Sequence, residues 1–392
     1  MQTLWDPKDL HVLYSEVFPV LQLHAIDEPI FSNLKCIKLR WTTGGIIPFI
    51  PLFLSPRTTV VDIEFDKPEL PVAIVASMVT NLPTLCPNLQ AITLRPLPRD
   101  PKITEAVSGM FLANNRNSFR CIRVDSPLTE AAREVVYNLP DLQELLVAIE
   151  RDTLLPSVVL PNLANLTIKY DHDFNWLQGF RRATLGKLAL VDIRPGSASI
   201  GNFLEAFESV AVTTSIPATL STFRFRTSHQ WRPNYHSLLL FTQLKELDIG
   251  FSCESGCSST IDDDAITDIA RAMPLLEDLS LGGRPCQTPT GVTVKGLAAL
   301  AHHCPHLSNL CIHLQVATLD PSAIPGVISD GEPTVLQEEC ALTRLNVGNI
   351  PVSEESTSVV ALTLLRIFPH IKYIVHLDRG WRKVKDVISL SK

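Results

Sequence analysis

The sequence contains no apolar run near the roughly 18 residues that a membrane-spanning helix needs. This holds although 45% of its 392 residues are hydrophobic and its mean hydropathy is +0.16. The opening MQTLWDPKDL lacks a basic stretch followed by an apolar one, so it does not read as a secretory leader. The apolar content is therefore assigned to a core, with no membrane partner. Basic blocks are also missing. The net charge is -7 and the pI is near 5.9, which argues against a phosphate-neutralising face and so against nucleic acid as a partner. The 9 cysteines lie scattered from Cys36 to Cys340 without paired spacing. That pattern reads as reduced thiols, and the expected location is the cytoplasm, the nucleus or both.

Catalytic signatures are absent as well. No G-x-G-x-x-G, P-loop, H-E-x-x-H or G-x-S-x-G occurs, so neither an enzyme nor a bound cofactor is expected. Cys253, Cys257 and Cys286 have the wrong spacing for a zinc knuckle and read as incidental thiols in a Ser/Gly-rich loop. His302, His303, Cys304 and His306 are the densest set of possible ligands. At a helix end they point in different directions, so no metal site is expected.

What is present is a six-residue pattern, apolar-x-x-apolar-x-apolar, that returns along the whole chain. It runs through Leu34/Ile37/Leu39, Val60/Ile63/Phe65, Leu89/Ile92/Leu94, Phe119/Ile122/Val124, Leu142/Leu145/Val147 and Leu163/Leu166/Ile168. It continues through Leu185/Leu188/Leu190, Leu220/Phe223/Phe225, Leu244/Leu247/Ile249, Leu276/Leu279/Leu281, Leu307/Leu310/Ile312 and Leu342/Leu345/Val347, with a degenerate copy at Ile371/Ile374/His376. The step is about 28 residues, within the range of leucine-rich repeats. The last two apolar residues are two apart and share one side of a short strand. One such unit cannot bury its apolar side alone, whereas a stack of them makes a continuous core. The expected fold is therefore α/β: a leucine-rich-repeat solenoid of about 12–13 repeats, with a parallel concave sheet and convex helices. The alternative is two independent α/β domains.

Proline stands two residues ahead of the first apolar position at Pro87, Pro140, Pro161, Pro274, Pro305 and Pro369, and reads as a helix stop leading into the strand. Helices are expected over Ile200–Val212, Asp264–Met273, Val294–Cys304 and Ser356–Phe368, and after a Ser126-Pro127 cap. The acidic run Asp262-Asp263-Asp264 is read as charge complementing a helix N-terminus rather than as a cation site. Residues 1–30 are expected to form a capping helix or flank, 31–376 the repeats, and 377–392 a solvated cap or tail. Residues 316–341 form the least regular connection.

Several units resemble the cysteine-bearing leucine-rich repeats of F-box proteins. Thr293–Ile312, Asp262–Leu281 and Leu82–Leu94 carry the likeness most clearly. Pro29–Phe65, with Leu54-Ser55-Pro56, is similar to the first repeats of fungal F-box-like proteins. The resemblance implies a substrate-recognition part of a cullin-type ubiquitin ligase. It also implies a helical F-box ahead of the repeats, a pattern that the residues before Pro29 do not match. A Skp-type adaptor is thus expected as a partner only if an F-box stands upstream; the alternative is a regulatory or inhibitory repeat protein outside the ubiquitin pathway. The turn asparagine of the family is missing too, so a ladder of buried asparagines is not expected to hold these turns.

A protein target is expected on the concave face, reached by the side chains between and just after the strand leucines. The candidates are Lys38, Arg40, Glu64, Asp66, Arg95, Arg123, Asp125, Lys169, Arg224 and Arg226. Neighbours such as Arg40 and Asp66 could instead neutralise one another. From Ser280 to Gly348 the same positions turn small and nearly neutral.

Overall fold

The computed structural model describes residues 20, 31–42, 47–65, 70–113, 118–149, 160–170, 185–193, 216–227, 235–251, 261–282, 291–314, 340–348, 351–376 and 379–391. The chain is α/β and divides into two compact units, Met1–Tyr170 with Gln178–Thr184, and Asp171–Leu177 with Leu185–Lys392. The first unit holds strands β1 (Cys36–Thr42), β2 (Val60–Phe65), β3 (Ala91–Arg95), β4 (Cys121–Pro127), β5 (Glu144–Ile149) and β6 (Asn165–Tyr170), paired in chain order and all parallel. Its described helices are α1 (Val72–Leu85), α2 (Pro101–Ala113) and α3 (Glu130–Tyr137).

The second unit holds β7 (Lys187–Ile193), β8 (Thr222–Thr227), β9 (Glu246–Phe251), β10 (Asp278–Leu281), β11 (Asn309–Ile312), β12 (Arg344–Gly348) and β13 (Tyr373–His376), again parallel and in chain order. With them go α4 (Asp263–Ala272), α5 (Val294–His303), α6 (Thr357–Ile367) and α7 (Arg379–Leu390). No described helix is long and apolar enough to cross a membrane.

Strands β3, β10, β11 and β13 start from the same local device. Cys86, Met273, Cys304 and Phe368 end α1, α4, α5 and α6, are fully buried, and precede a proline. A residue before proline is pushed out of the α region, so the helix stops there. The proline then takes the second position of a turn for which its φ is preset. The turn closes when the apolar residue two positions after the proline donates back: Leu89 N–H to Cys86 O at 3.2 Å, Leu276 to Met273 at 3.2 Å, Leu307 to Cys304 at 3.1 Å and Ile371 to Phe368 at 3.2 Å.

From that turn the chain enters a backbone ladder. The carbonyl ahead of each strand accepts two N–H groups from the next unit. Thr59 O takes Gln90 N–H and Ala91 N–H (2.8 and 3.0 Å); Glu277 O takes Ser308 N–H and Asn309 N–H (2.8 and 3.2 Å). Hydroxyls add to it, with Thr58, Ser118 and Thr219 each donating to the carbonyl of Leu34, Leu89 or Leu185 at 2.9–3.0 Å. Backbone carbonyls and short hydroxyls tie these turns together, and Asn88 and Asn162 donate to Pro56 O and Pro140 O at 3.0 and 2.9 Å.

Register aligns the apolar pairs across strands: Ile92 faces Ile122 and Leu94 faces Val124, while Leu279 faces Leu310 and Leu281 faces Ile312. All of these are 2% exposed or less, as are Leu276, Leu307 and Leu342 at the first apolar position. Each such leucine contributes about 2 kcal/mol by leaving water.

The second copy of the pattern differs from its expected register. Ile37 pairs with Val61 and Leu39 with Ile63, so the strand pair is Val61/Ile63 and the first slot holds Thr58, two residues before Val60. Thr58 is fully buried, and its hydroxyl donates to Leu34 O while accepting from Ser55 N–H at 3.1 Å. Pro56, two residues ahead of Thr58, is the local sign of this register.

Two further expectations are corrected. Ser126 and Pro127 end β4 instead of capping a helix; α3 begins at Glu130 behind Thr129. Ser108 on α2 accepts the Thr129 N–H at 2.9 Å, so the bend is held from a neighbouring element. The C-terminal segment is an amphipathic helix rather than a solvated tail, with Trp381, Val384 and Ile388 buried. The expected helix Ile200–Val212 and most of 1–30 and 316–341 lie outside the described residues.

Candidate functional site

Alternation along each strand sends one set of side chains into the core and the other to the opposite sheet face. In the first unit the outward positions of β1, β2, β3 and β4 are Lys38/Arg40, Asp62/Glu64, Thr93/Arg95 and Arg123/Asp125. The corrected register of β2 brings Asp62 onto this face; Asp66 lies outside the described residues. Arg40 reaches Asp62 at 3.0 Å and Glu64 at 2.7 Å, and Glu64 also holds Arg95 at 2.7 Å. Within this group Asp62 Oδ1 and Arg95 Nε are buried without a hydrogen-bond partner among the described residues.

Arg123 clamps Glu144 of β5 with both Nε and Nη2 at 2.7 Å, and this bidentate bond holds the guanidinium pKa above its usual value. Asp125 is set deeper. Its carboxylate accepts Leu97 N–H at 2.8 Å and Lys169 Nζ at 3.1 Å, the lysine reaching over β5 from β6. Asp125 is therefore a clamp beneath the surface and offers little to a visitor. Lys38 is exposed and has no ion pair among the described residues.

The second unit repeats the arrangement at β8 and β9. Arg224 binds Glu246 through Nε at 2.6 Å and Nη2 at 2.5 Å, and Arg226 binds Asp248 through Nε at 3.2 Å and Nη2 at 2.7 Å. Beyond β9 the face turns small, with Ser280 opposite Cys311 and Gly282 beside His313. Gly282 has φ +139°, a conformation that side chains rarely adopt, and a Cβ there would stand 3.5 Å from the His313 ring. Burial pushes the pKa of His313 down.

The sequence reading missed Asp62, Glu144 and Glu246 as acid partners. Pro56 could have located Asp62. Glu144 and Glu246 sit one position ahead of the strand leucine, and only strand register places them under an arginine.

Burial holds the thiol pKa of Cys86 up at about 11 and that of Cys304 at about 12. Cys121, beside Glu144, also stands at about 11, through burial and then the carboxylate charge. The Cys304 thiol is turned inward to Ala270 O and Met273 O, away from His302 and His306. No group of His, Cys, Asp or Glu among the described residues could hold a metal ion. Cys253, Cys257 and Cys286 lie outside them. The acidic run acts on helix ends. Asp262 accepts Ala265 N–H at 2.9 Å, capping α4, and Asp263 accepts Thr293 N–H at 2.7 Å and Gly296 N–H at 2.9 Å, capping α5.

No protein-family model matches the chain, and no curated protein matches it.

Proposed function

We propose that the chain is a leucine-rich-repeat solenoid of about 12–13 repeats that serves as a protein-interaction scaffold. Its most specific role on this reading is the substrate-recognition part of an F-box-type cullin ubiquitin ligase, acting in the cytoplasm or nucleus. The observation that carries the scaffold reading is the outward sheet face. Its arginines are held by acids on neighbouring strands, which presents ordered donors on a rigid framework. Arginine is enriched among residues that dominate protein interfaces. The turn-and-ladder device before β3, β10, β11 and β13 supports the repeat reading, because it recurs with the same donors and acceptors. Support for the ubiquitin role comes from the resemblance of Thr293–Ile312 and Asp262–Leu281 to F-box repeats, and free thiols at Cys86, Cys304 and Cys340 suit a reducing compartment.

The test is co-expression of the full natural gene product with a Skp-type adaptor, followed by size-exclusion chromatography. Co-elution of the adaptor supports the ubiquitin role. An adaptor that elutes apart while a protein target stays bound moves the protein to the second reading, a regulator or inhibitor outside that pathway. Turnover of a small molecule that a point substitution abolishes would remove the scaffold reading.

A further inference from the structure

On β1–β4 the two partners of each ion pair are unequally exposed. The Arg40 side chain is 41% exposed against 13% for Asp62, and Arg123 is 37% exposed against 24% for Glu144. Arg95 over Glu64 follows the same order. The acids lie underneath and the guanidinium groups form the outer layer. Lys38 adds a cation with no acid of its own among the described residues. On this face Lys38, Arg40, Arg95 and Arg123 equal Asp62, Glu64, Asp125 and Glu144 in number, and the cations are the more exposed side chains. The hydrogen-bond geometry agrees. Arg123 spends Nε and Nη2 on Glu144, and its Nη1 has no partner among the described residues.

We propose that this face of β1–β4 docks an acidic polypeptide segment, its carboxylates meeting Lys38, Arg40, Arg95 and Arg123. The inference rests on the protein-docking reading and names the class of target. Arg40 and Arg95 occupy matching positions two strands apart, about 10 Å at the usual strand spacing. A segment in the polyproline II conformation advances about 3.1 Å per residue and turns once every three residues, so acids three residues apart share one side and match that interval. A polyphosphate fits less well. It carries charge far more densely, about one per 1.7 Å of duplex, than cations spaced about 10 Å apart would match.

The experiment is fluorescence anisotropy on the full chain with three labelled probes. These are an extended peptide with glutamate at every third position, the same peptide with glutamine, and a single-stranded oligonucleotide of equal charge. The glutamate peptide should bind, weaken as salt shortens the screening length, and exceed the glutamine peptide by about tenfold. Lys38→Glu should weaken binding about fivefold with no change in the urea midpoint, since Lys38 holds no internal partner. Arg95→Gln should weaken it as well, which separates a folding defect from loss of the surface. Equal binding of the two peptides, no binding of either, or indifference to Lys38→Glu overturns the inference. Tighter binding of the oligonucleotide assigns the face to nucleic acid instead. A defined protein target that ignores Lys38→Glu but is lost on Arg226→Glu would overturn the acidic-segment inference and leave the scaffold reading standing.

Discussion

Thr58 shows how one polar residue fills a place built for leucine. Its hydroxyl serves Leu34 O and Ser55 N–H together, so burial leaves neither unmatched. Thr58→Val keeps the shape and removes both bonds. It should cost about 1–3 kcal/mol, since orphaned buried groups forfeit their desolvation; urea denaturation measures it, and a loss near zero would contradict this role. The buried thiols make a second prediction. Cys86, Cys121 and Cys304 keep their protons up to about 11, 11 and 12, while the unfolded chain releases them near the ordinary value of 9.0. Between those values the native state binds more protons, so stability falls as pH rises. The urea midpoint should hold steady from the thiols up to pH 9 and drop by about pH 11. Cys304→Ala should flatten part of that drop.

At the scale of elements, the two aspartates that open α4 do separate work. Asp262 caps its own helix, while Asp263 reaches the N-terminus of α5. Gly296 permits that approach, because a Cβ there would stand 2.7 Å from Asp263 Oδ1. Asp263→Ala should therefore cost more than Asp262→Ala, about 2 kcal/mol against about 1, as it frees two N–H groups and a hydroxyl. A reversed order in thermal or urea melts would refute the cross-helix cap. Helix α7 offers a further test. Trp381 is fully buried and, with Val384 and Ile388, packs α7 beside α6. Trp381→Ala should cost about 3–5 kcal/mol and raise hydrogen exchange first in β13. Exchange that rises evenly over the second unit would instead mean that α7 is no local cap.

Over the whole molecule the sheet faces are ordered by ion pairs that are partly exposed, and pairs of that kind contribute little net stability. Glu144→Gln should shift the urea midpoint by less than about 1 kcal/mol equivalent. It should nevertheless loosen Arg123 and lower the affinity for the acidic peptide, because the bidentate bond that orients the guanidinium would be weakened. A large stability loss with unchanged binding would assign the pair to folding instead.

Strand positions and most helix positions were legible in the residues themselves. Period-2 apolar pairs, prolines two residues ahead of a leucine and the exclusion of pre-proline residues from the helix are all short-range rules, and they locate β3 and β10 or the end of α5 without knowledge of neighbours. Where the short-range sign was weak, as at Thr58 or Ser126-Pro127, the local reading slipped by two residues or misplaced a cap. Which acid lies under which arginine was not legible. Arg40 meets Asp62 and Arg123 meets Glu144 across 22 and 21 residues of chain. A slip of two residues in one strand keeps every side chain on its proper face and still changes all its partners. The sequence by itself determined the α/β units and the side of the strand each charge occupies. Only the tertiary structure decided the register, and with it that the acids lie beneath and the cations outside.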